Sequence, residues 1–353
     1  MEASDLMIGN AVHRFSNTAI LSVCAIDAPE VVTSDEIDAR LAETYTRVGL
    51  RPGMMQHLAG IEARRWWSPG TTFADGAAMA GAKAIAEAGV DPRRIGLMIN
   101  TSVSRAYLEP STAVGVHHAL GLPPNCQNFD VANACLGFLD GMQLGAAMIE
   151  SGQIDYVLVV DGEDARGIQE ATIERLITGN SAEVTAKHVF AQFASMTLGS
   201  GAAAMVLGRA DEHPTGHRFV GGVTRAGTEH HELCVGDMTD MRTDSKGLMD
   251  AGLALSTDLW RESAAGWGWG SETGGVDRYI IHQVSVVHTR EICRALGIDS
   301  KRVPLTFPTR GNMGPASIPF TLAGEVGSLS GGDRVLLMGI GSGLNASCVE
   351  IVW

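Results

Sequence analysis

The chain has 353 residues, of which 45% are hydrophobic and 19% are charged, and its formal net charge is −14 at pH 7. This length is enough for a large core in one big domain or in two domains of ordinary size. The negative charge argues against nucleic-acid binding, because phosphate contacts need clustered lysine and arginine. It also disfavours docking to an acidic carrier protein unless basic side chains cluster locally.

Several further classes are disfavoured by what the sequence lacks. No run of about 18 apolar residues appears, so we expect no membrane span, and the N-terminus lacks the basic and apolar segments of a secretory signal. The six cysteines show no CxxC spacing, and the pairs His117–His118 and His230–His231 have no carboxylate or cysteine at ligand spacing. We therefore expect a cytoplasmic protein without a metal or a cofactor.

The predicted elements alternate between strands and helices along the chain. The first part contains a strand within 15–30, a capped helix from 33, an alanine-rich helix over 73–89, a strand over 95–102, a helix near 111–120, a strand from 156, helical structure over 164–195 and a strand over 199–207. After residue 214 come a strand at 279–282, a helix at 285–296 and strands at 334–340 and 344–352. This alternation predicts an α/β fold with mostly buried strands.

Each part of the chain carries one reactive-looking residue at the end of a strand, Cys135 in the first and His282 in the second. This symmetry predicts two duplicated halves, residues 1–212 and 213–353, with the site where they meet. Strand carboxyl ends are where open α/β sheets bind ligands. Because no low-complexity linker separates the halves, we expect one tightly packed unit.

Cys135 lies where an apolar strand turns into an almost uncharged helix at 137–149. At the first turn of a helix, the unpaired N–H groups and the positive end of the dipole favour thiolate over thiol. The sequence therefore predicts a nucleophile for acyl transfer at Cys135. The alternative is that Cys135 is simply a small core residue.

Three other positions complete a possible acyl-transfer site. His282 ends an apolar strand, Asn312 lies in a glycine-rich loop, and Glu109 precedes Pro110. As a set they fit a thiolate that accepts an acyl group, a His–Asn pair that donates hydrogen bonds to a thioester oxygen as it becomes an enolate, and a carboxylate that removes an α-proton. The glycine turn at 341–343 predicts an oxyanion hole formed by the N–H groups of Gly343 and Cys135.

The order of these motifs resembles the thiolase superfamily, in particular the ketoacyl synthase III group. Three longer strings are similar to the OleA family, whose members condense two acyl-CoA molecules head to head in bacterial long-chain olefin synthesis. These strings are NTSVSRAYLEPSTA at 100–113, DVANAC at 130–135 and GIGSGLN at 339–345.

The resemblance implies a five-layered αβαβα thiolase-like fold and a homodimer. It implies a non-decarboxylative Claisen condensation of two fatty acyl-CoA molecules to a 2-alkyl-3-ketoalkanoate, in olefin or β-lactone biosynthesis, and possible complexes with downstream enzymes. Cys135 matches the acylated nucleophile, His282 and Asn312 match the pair that polarises the second thioester, and Glu109 matches the base that acts in the partner subunit's site.

Two alternative functions stay open. A ketoacyl synthase III would require malonyl carrier protein, but His-Gln-Val-Ser at 282–285 differs from the His-Gln-Ala-Asn typical of that group. A partner subunit of a heterodimeric condensing enzyme would not need the intact set of reactive residues. The resemblance also favours a CoA-binding role for Arg64, Arg65 and Trp66, through phosphate contacts and stacking on adenine, although a turn with buried indoles explains the same residues.

Overall fold

The computed structural model describes residues 10–179, 184–270 and 275–353. Within these ranges the chain forms fourteen strands. They are β1 (Ala11–Arg14), β2 (Thr18–Asp27), β3 (Glu30–Thr33), β4 (Ala63–Trp66), β5 (Ile95–Asn100), β6 (Gln127–Asp130), β7 (Tyr156–Glu163), β8 (Gly201–Arg209), β9 (His217–Ala226), β10 (Cys234–Gly236), β11 (Met241–Thr243), β12 (Arg278–Ile281), β13 (Arg334–Gly341) and β14 (Asn345–Val352).

The same ranges contain twelve α-helices. They are α1 (Ser34–Arg40), α2 (Ala42–Val48), α3 (Phe73–Ala88), α4 (Thr112–Ala119), α5 (Gly137–Glu150), α6 (Arg166–Thr178), α7 (Ala186–Ala191), α8 (Phe193–Thr197), α9 (Ser245–Trp267), α10 (Val286–Leu296), α11 (Phe307–Arg310) and α12 (Ser317–Glu325). A five-residue π-helix covers Met55–Ala59. Short 3-10 segments lie at Pro92–Arg94, Thr228–His230, Ser300–Arg302 and Gly314–Ala316.

Ten strands form one mixed sheet in the order β12-β13-β14-β9-β2-β8-β7-β5-β6, with β1 also paired to β9. The sheet divides naturally where β2 meets β9, because only Ala19 and Ile20 pair across that seam, with Arg218 and His217. Five strands lie on each side of the seam. The sheet therefore consists of two strand sets joined along one short contact.

The helices make layers on both faces of the two strand sets. Helices α5 and α12 lie in the middle, where Leu139 and Ile318 pack in one core with Ile99 of β5 and Leu337 of β13. Helices α3 and α4 cover the outer face of the first strand set, and α9 and α10 cover the outer face of the second. This is the predicted five-layered αβαβα arrangement.

The core explains why α5 is nearly uncharged. Helix α5 is covered by strands on both sides.

Helix α3 packs closely on β7 and β8, and Ala77, Ala80 and Ala84 on its packed face are fully buried. Small residues let a helix approach a sheet closely. A β-carbon on Gly162 of β7 would lie 2.1 Å from the carbonyl oxygen of Phe73, so the sheet meets the start of α3 without room for a side chain.

The predicted boundary between residues 212 and 213 falls in the connection from β8 to β9. One element crosses it, because β1 precedes the boundary in sequence yet pairs with β9 along Ala11–Arg14. The division of the chain at that point stays a prediction. Parts of the predicted helical stretch over 164–195 lie outside the described residues, at 180–183.

Candidate active site

Candidate site residues follow the carboxyl ends of parallel strands, as the sequence predicts for an α/β fold. Asp130 ends β6, five residues before Cys135, and Glu163 ends β7. In the second strand set, His282 follows the last residue of β12, and its backbone N–H donates to the carbonyl oxygen of Met338 on the neighbouring β13 at 2.7 Å. Each strand set thus places a candidate site residue just beyond the carboxyl end of a parallel strand.

Cys135 occupies a tight turn before α5. The N–H of Leu136 donates to the carbonyl oxygen of Asn133 at 2.9 Å, and the N–H of Gly137 donates to that of Ala134 at 3.3 Å. Ala134 has φ +44°, a left-handed conformation that costs a residue with a β-carbon about 1–2 kcal/mol. This strained conformation immediately precedes the cysteine. The Cys135 residue is partly exposed.

The pKa of Cys135 is opposite to the prediction. Burial of the thiol raises its pKa to about 12, and electrostatic interactions with Cys234, Glu163 and Asp161 act in the same direction. A backbone hydrogen bond acts in the opposite direction without reversing the rise in pKa. The prediction of a resting thiolate is therefore wrong, and Cys135 is a neutral thiol in the free protein.

The glycine turn after β13 lies directly against the backbone of Cys135. A β-carbon on Gly341 would stand 3.3 Å from the nitrogen of Cys135 and 3.2 Å from the carbonyl oxygen of Asn133. A second contact ties the turn to the same loop, because the amide of Asn345 donates to Oδ1 of Asn133 at 3.2 Å. The glycine-rich turn of the second half thus adjoins the nucleophile loop of the first.

His282 is buried and neutral. Burial lowers its pKa to about 3, with a further contribution from the neighbouring His288, whose own pKa burial lowers to about 4. No hydrogen-bond partner within the described residues reaches Nδ1 of either ring. A neutral imidazole can donate one hydrogen bond and accept one.

Hydrogen bonds fix the backbone and the side-chain oxygen of Asn312, and within the described residues none involves its side-chain nitrogen. Its backbone N–H donates to the carbonyl oxygen of Thr197 at 2.9 Å, and its carbonyl oxygen accepts from the N–H of Gly199 at 2.9 Å. Its side-chain Oδ1 accepts from the N–H of Gly314 at 2.9 Å. Because the oxygen is engaged, the NH₂ group is the part of the side chain left to donate to a ligand.

Glu109 lies on an exposed loop between β5 and α4. The neighbouring Leu108 is 102% exposed and Tyr107 is 71% exposed in the single chain. Such exposure of two large apolar side chains beside a carboxylate is typical of a surface that another protein covers. Glu109 itself is also exposed.

Two buried carboxyl groups near Cys135 were missed by the sequence reasoning. Burial and the charge of Glu163 raise the pKa of Asp161 well above its ordinary value, and burial raises the pKa of Glu163 to about 7. The signal was present, since two acidic residues end an otherwise apolar strand at 156–163. The half-buried Cys234 also lies close enough to Cys135 to interact with it electrostatically.

The cluster of Arg64, Arg65 and Trp66 lies on β4 rather than on a surface turn. Arg64 is fully buried, its guanidinium donates to Oγ of Ser34 at 3.2 Å, and burial lowers its pKa to about 10. The indole N–H of the buried Trp66 donates to Oε1 of Gln169 at 2.5 Å. These two side chains are engaged inside the protein and offer no free face to a nucleotide, whereas Arg65 is partly exposed.

A cavity of about 600 Å³ opens beside the nucleophile loop, and its lining includes Asn133, Leu136, Gln143 and Asn345. Over residues 10–179, 184–270 and 275–353 no group of three or more His, Cys, Asp or Glu side chains is arranged to hold a metal ion. In the same ranges, none of the helices combines the length and the apolar character needed to cross a membrane.

Comparison with protein families gives two matches to one enzyme group. Residues 268–353 match the C-terminal model of 3-oxoacyl-[acyl-carrier-protein] synthase III, and residues 129–178 match the model of 3-oxoacyl-[acyl-carrier-protein] synthase III. The matched segments contain Cys135, His282 and Asn312. A synthase III of Streptomyces coelicolor is 29% identical over 92% of this chain and 90% of its own length.

Two characterised relatives are more similar and carry a different name. The acyl-CoA:acyl-CoA alkyltransferase of Xanthomonas campestris is 45% identical over 96% of this chain and 99% of its own length. The enzyme of the same name from Shewanella oneidensis is 36% identical over 96% of this chain and all of its own length.

Solved structures agree with this assignment. A crystal structure of an OleA variant from Xanthomonas campestris with bound lauric acid and lauroyl-CoA has a TM-score of 0.92 and 44% identity, and covers 96% of this chain and 100% of that one. A cerulenin-bound OleA structure gives a TM-score of 0.93 at 45% identity and covers 96% of this chain and 98% of that one. The chain is therefore an acyltransferase of the thiolase superfamily and belongs to the OleA family of acyl-CoA:acyl-CoA alkyltransferases.

Proposed function

We propose that this enzyme joins two fatty acyl-CoA molecules by a non-decarboxylative Claisen condensation with an acyl-Cys135 intermediate. The product is a 2-alkyl-3-ketoalkanoate, with two CoA molecules released and one water consumed. The observation that supports this most strongly is the 45% identity to an acyl-CoA:acyl-CoA alkyltransferase over 96% of the chain, combined with the retention of Cys135, His282, Asn312 and Glu109.

The first step transfers an acyl group to sulfur. Cys135 attacks the thioester carbonyl, the carbon–sulfur bond to CoA breaks, and the proton of the thiol ends on the departing CoA sulfur. Because burial raises the pKa of Cys135 to about 12, the thiol is deprotonated only as it reacts. The N–H groups of Cys135 and Gly343 are the proposed oxyanion hole, which is supported by the packing of the turn at 341–343 against the Cys135 backbone.

The second step makes a carbon nucleophile from the other acyl-CoA. Glu109 of the partner subunit takes an α-proton while His282 and Asn312 donate hydrogen bonds to the thioester oxygen, which becomes an enolate. The engaged Oδ1 of Asn312 supports this role, because it directs the NH₂ group towards an acceptor. The depressed pKa of His282 supports a neutral ring that donates from one nitrogen.

In the third step the enolate carbon attacks the acyl-Cys135 carbonyl. A carbon–carbon bond forms, the bond to sulfur breaks, and the proton held by Glu109 returns to the thiolate. Water then hydrolyses the remaining CoA thioester to give the keto acid and the second CoA. No carbon dioxide is lost, so a base is needed where a malonyl substrate would need none.

The base is proposed to act across a homodimer. This is supported by the exposed position of Glu109 and by the two large apolar side chains beside it, Tyr107 and Leu108. For the CoA moiety, Arg65 remains the proposed contact, whereas the burial of Arg64 and Trp66 removes them from the proposal. We place the enzyme in olefin or β-lactone biosynthesis, acting with downstream enzymes that consume the keto acid.

The test is to incubate the purified enzyme with myristoyl-CoA alone and to analyse the products by mass spectrometry. The expected products are free CoA and the C28 keto acid, or the ketone that it yields on loss of carbon dioxide. Free CoA without either carbon–carbon product would overturn the proposal. A second reaction with malonyl carrier protein distinguishes a ketoacyl synthase III, because only that enzyme would require the malonyl substrate.

A further inference from the structure

The buried carboxylate of Glu163 holds the loop that carries Glu109. Oε1 accepts a hydrogen bond from the backbone N–H of Val103 at 2.6 Å. Oε2 accepts from the backbone N–H of Ser104 at 3.1 Å and from its hydroxyl at 2.6 Å. The side chain is 7% exposed, so these three bonds lie in a region where charge-assisted hydrogen bonds are strong.

The attachment is reinforced by neighbouring contacts. The hydroxyl of Ser104 also accepts from the N–H of Asp164, the residue after Glu163, at 3.0 Å. The guanidinium of Arg105 donates to the carbonyl oxygens of Ser102 and Ser104. The beginning of the loop is therefore fixed to the carboxyl end of β7, with Arg105 closing the turn.

The far end of the loop is held in a similar way by a second carboxylate. Asp130 at the end of β6 accepts from the N–H of Thr112 at 3.0 Å and from the N–H of Ala113 at 2.8 Å, and it lies 3.8 Å from the guanidinium of Arg105. Between these two anchors, residues 106–110 are exposed. The loop is thus an exposed segment that contains Glu109, and at each of its two ends a carboxylate accepts hydrogen bonds from the backbone.

We propose that Glu163 is a positioning residue of the condensation, whose carboxylate fixes the loop so that Glu109 is presented to the partner subunit's site. This inference rests on the proposed function, because it takes Glu109 as the base. The carboxylate accepts from all three donors with its two oxygens. An amide side chain has only one acceptor oxygen and would place its NH₂ group against an N–H group of the loop, which weakens the attachment.

Two opposing effects set the pKa of Glu163, namely its burial and the hydrogen bonds that it accepts from the loop. Burial raises the pKa of Glu163 to about 7, and the Ser104 and Val103 hydrogen bonds and the charge of Arg105 act in the opposite direction. Glu163 also interacts electrostatically with two other titratable groups, Asp161 on the same strand and the thiol of Cys135, and raises the pKa of each. A charge so close to Cys135 could instead act on the nucleophile, and the experiment must separate the two roles.

Mixed dimers separate them. One subunit carries Cys135→Ala and the other Glu109→Ala, so that the single complete site combines Cys135 of the second subunit with Glu109 of the first. Adding Glu163→Gln to the subunit that supplies Glu109 should lower kcat for condensation about 10- to 100-fold, with KM for acyl-CoA unchanged. Adding it to the subunit that supplies Cys135 should leave condensation within about twofold of the parent mixed dimer.

Other outcomes overturn the inference. Loss only when Glu163→Gln is beside the working Cys135 would show an effect on the nucleophile, equal loss in both positions would show general damage, and no loss in either would show no role. The parent mixed dimer is assayed first, before Glu163 is changed. If it is inactive, the proposal that Glu109 acts in the partner subunit's site is refuted.

Two further variants control for stability. Glu150→Gln removes a carboxylate that pins another loop in the same manner, through the N–H groups of Ser16 and Asn17 at 3.0 and 2.6 Å, and it should leave condensation unchanged. Ser104→Ala removes one donor to Glu163 and is milder, so it should lower condensation in the same direction even if Glu163→Gln folds poorly. Normal condensation in Ser104→Ala together with an unfolded Glu163→Gln would contradict the inference.

Discussion

Gly341 and Cys135 come from opposite halves of the chain, yet a β-carbon on Gly341 would stand 3.3 Å from the backbone nitrogen of Cys135. The side chain of Gly341→Val would push the Cys135 loop out of place, so we expect acylation of Cys135 to slow about 10- to 100-fold. The measurement is the rate of acyl-enzyme formation by intact mass. Gly327→Val is the matched control, because no atom lies within 4 Å of its added β-carbon.

Replacement of Glu109 should separate the two chemical steps. Glu109→Ala removes the proposed base and keeps Cys135 and its proposed oxyanion hole, so acyl-Cys135 should form at a normal rate while condensation falls by roughly 10²- to 10⁴-fold. Rapid quench with mass analysis of the acyl-enzyme, followed by product quantification, measures both. Normal condensation by this variant would show that another group removes the α-proton.

The amide of Asn312 should be needed for the enolate but not for the fold of its loop. Asn312→Asp keeps an oxygen that can accept from the N–H of Gly314 but replaces the NH₂ donor with an oxygen. We expect condensation to fall about 10²- to 10³-fold with little change in the melting temperature. An equal loss of acylation and condensation would instead assign Asn312 to the first step.

The exposed Leu108 gives a prediction about assembly. An aspartate there should be poorly tolerated inside an apolar interface, so Leu108→Asp should shift the protein from dimer to monomer and abolish condensation while Cys135 still becomes acylated. Sedimentation at several concentrations measures the first effect. Met79→Asp on α3 is the comparison, since Met79 is an exposed apolar residue far along the chain from Glu109. A dimeric Leu108→Asp protein would place the interface elsewhere.

His288 should make the protein less stable in acid. Burial lowers its pKa to about 4 from an ordinary value of 6.5, so between these pH values the unfolded chain binds a proton that the folded chain does not. The free energy of unfolding therefore falls as pH decreases through that window, by up to about 1.4 kcal/mol per pH unit for one proton.

His288→Gln removes this contribution, so its unfolding free energy should depend less steeply on pH below 6.5 than that of the wild-type protein. Chemical denaturation at a series of pH values measures the difference. His282 has a lowered pKa and acts in the same direction, whereas Asp161 and Glu163 have raised pKa values and act oppositely. The contributions of Asp161 and Glu163 are present in both proteins and cancel in the comparison, whereas that of His282 becomes smaller because His288 also lowers the pKa of His282. Parallel curves would contradict the assignment to His288.

Local patterns were sufficient for much of the fold. The alanine-rich helix predicted over 73–89, the strand predicted from 156 and the capped helix predicted from 33 all form, and Thr33 and Glu36 make a capping box at the start of the last one. Helix α9 (Ser245–Trp267) and strand β9 were not predicted as elements. Both lie in the second half, and the continuity of β9 with β14 depends on pairing with residues more than a hundred positions away, which no local pattern encodes.

Site chemistry was harder to predict where burial decides it. Motifs were enough to single out Cys135, but the helix rule alone gave the wrong direction for its pKa, because burial and nearby carboxyl groups depend on the packed structure. The CoA-binding role predicted for Arg64 failed for the same reason, because its burial depends on the packed structure. An arginine beside tryptophans is typical of a surface contact, and only the paired strands β3 and β4 show that its guanidinium points inward.

The middle layer of α5 and α12 packs on strands from both halves at once. A cut of the chain between the halves would leave each fragment with one strand set and a helix whose second apolar face has lost its cover, so neither fragment should be soluble alone. The same geometry restricts recombination between relatives. A chimaera that exchanges one half must therefore carry over the facing residues of both helices.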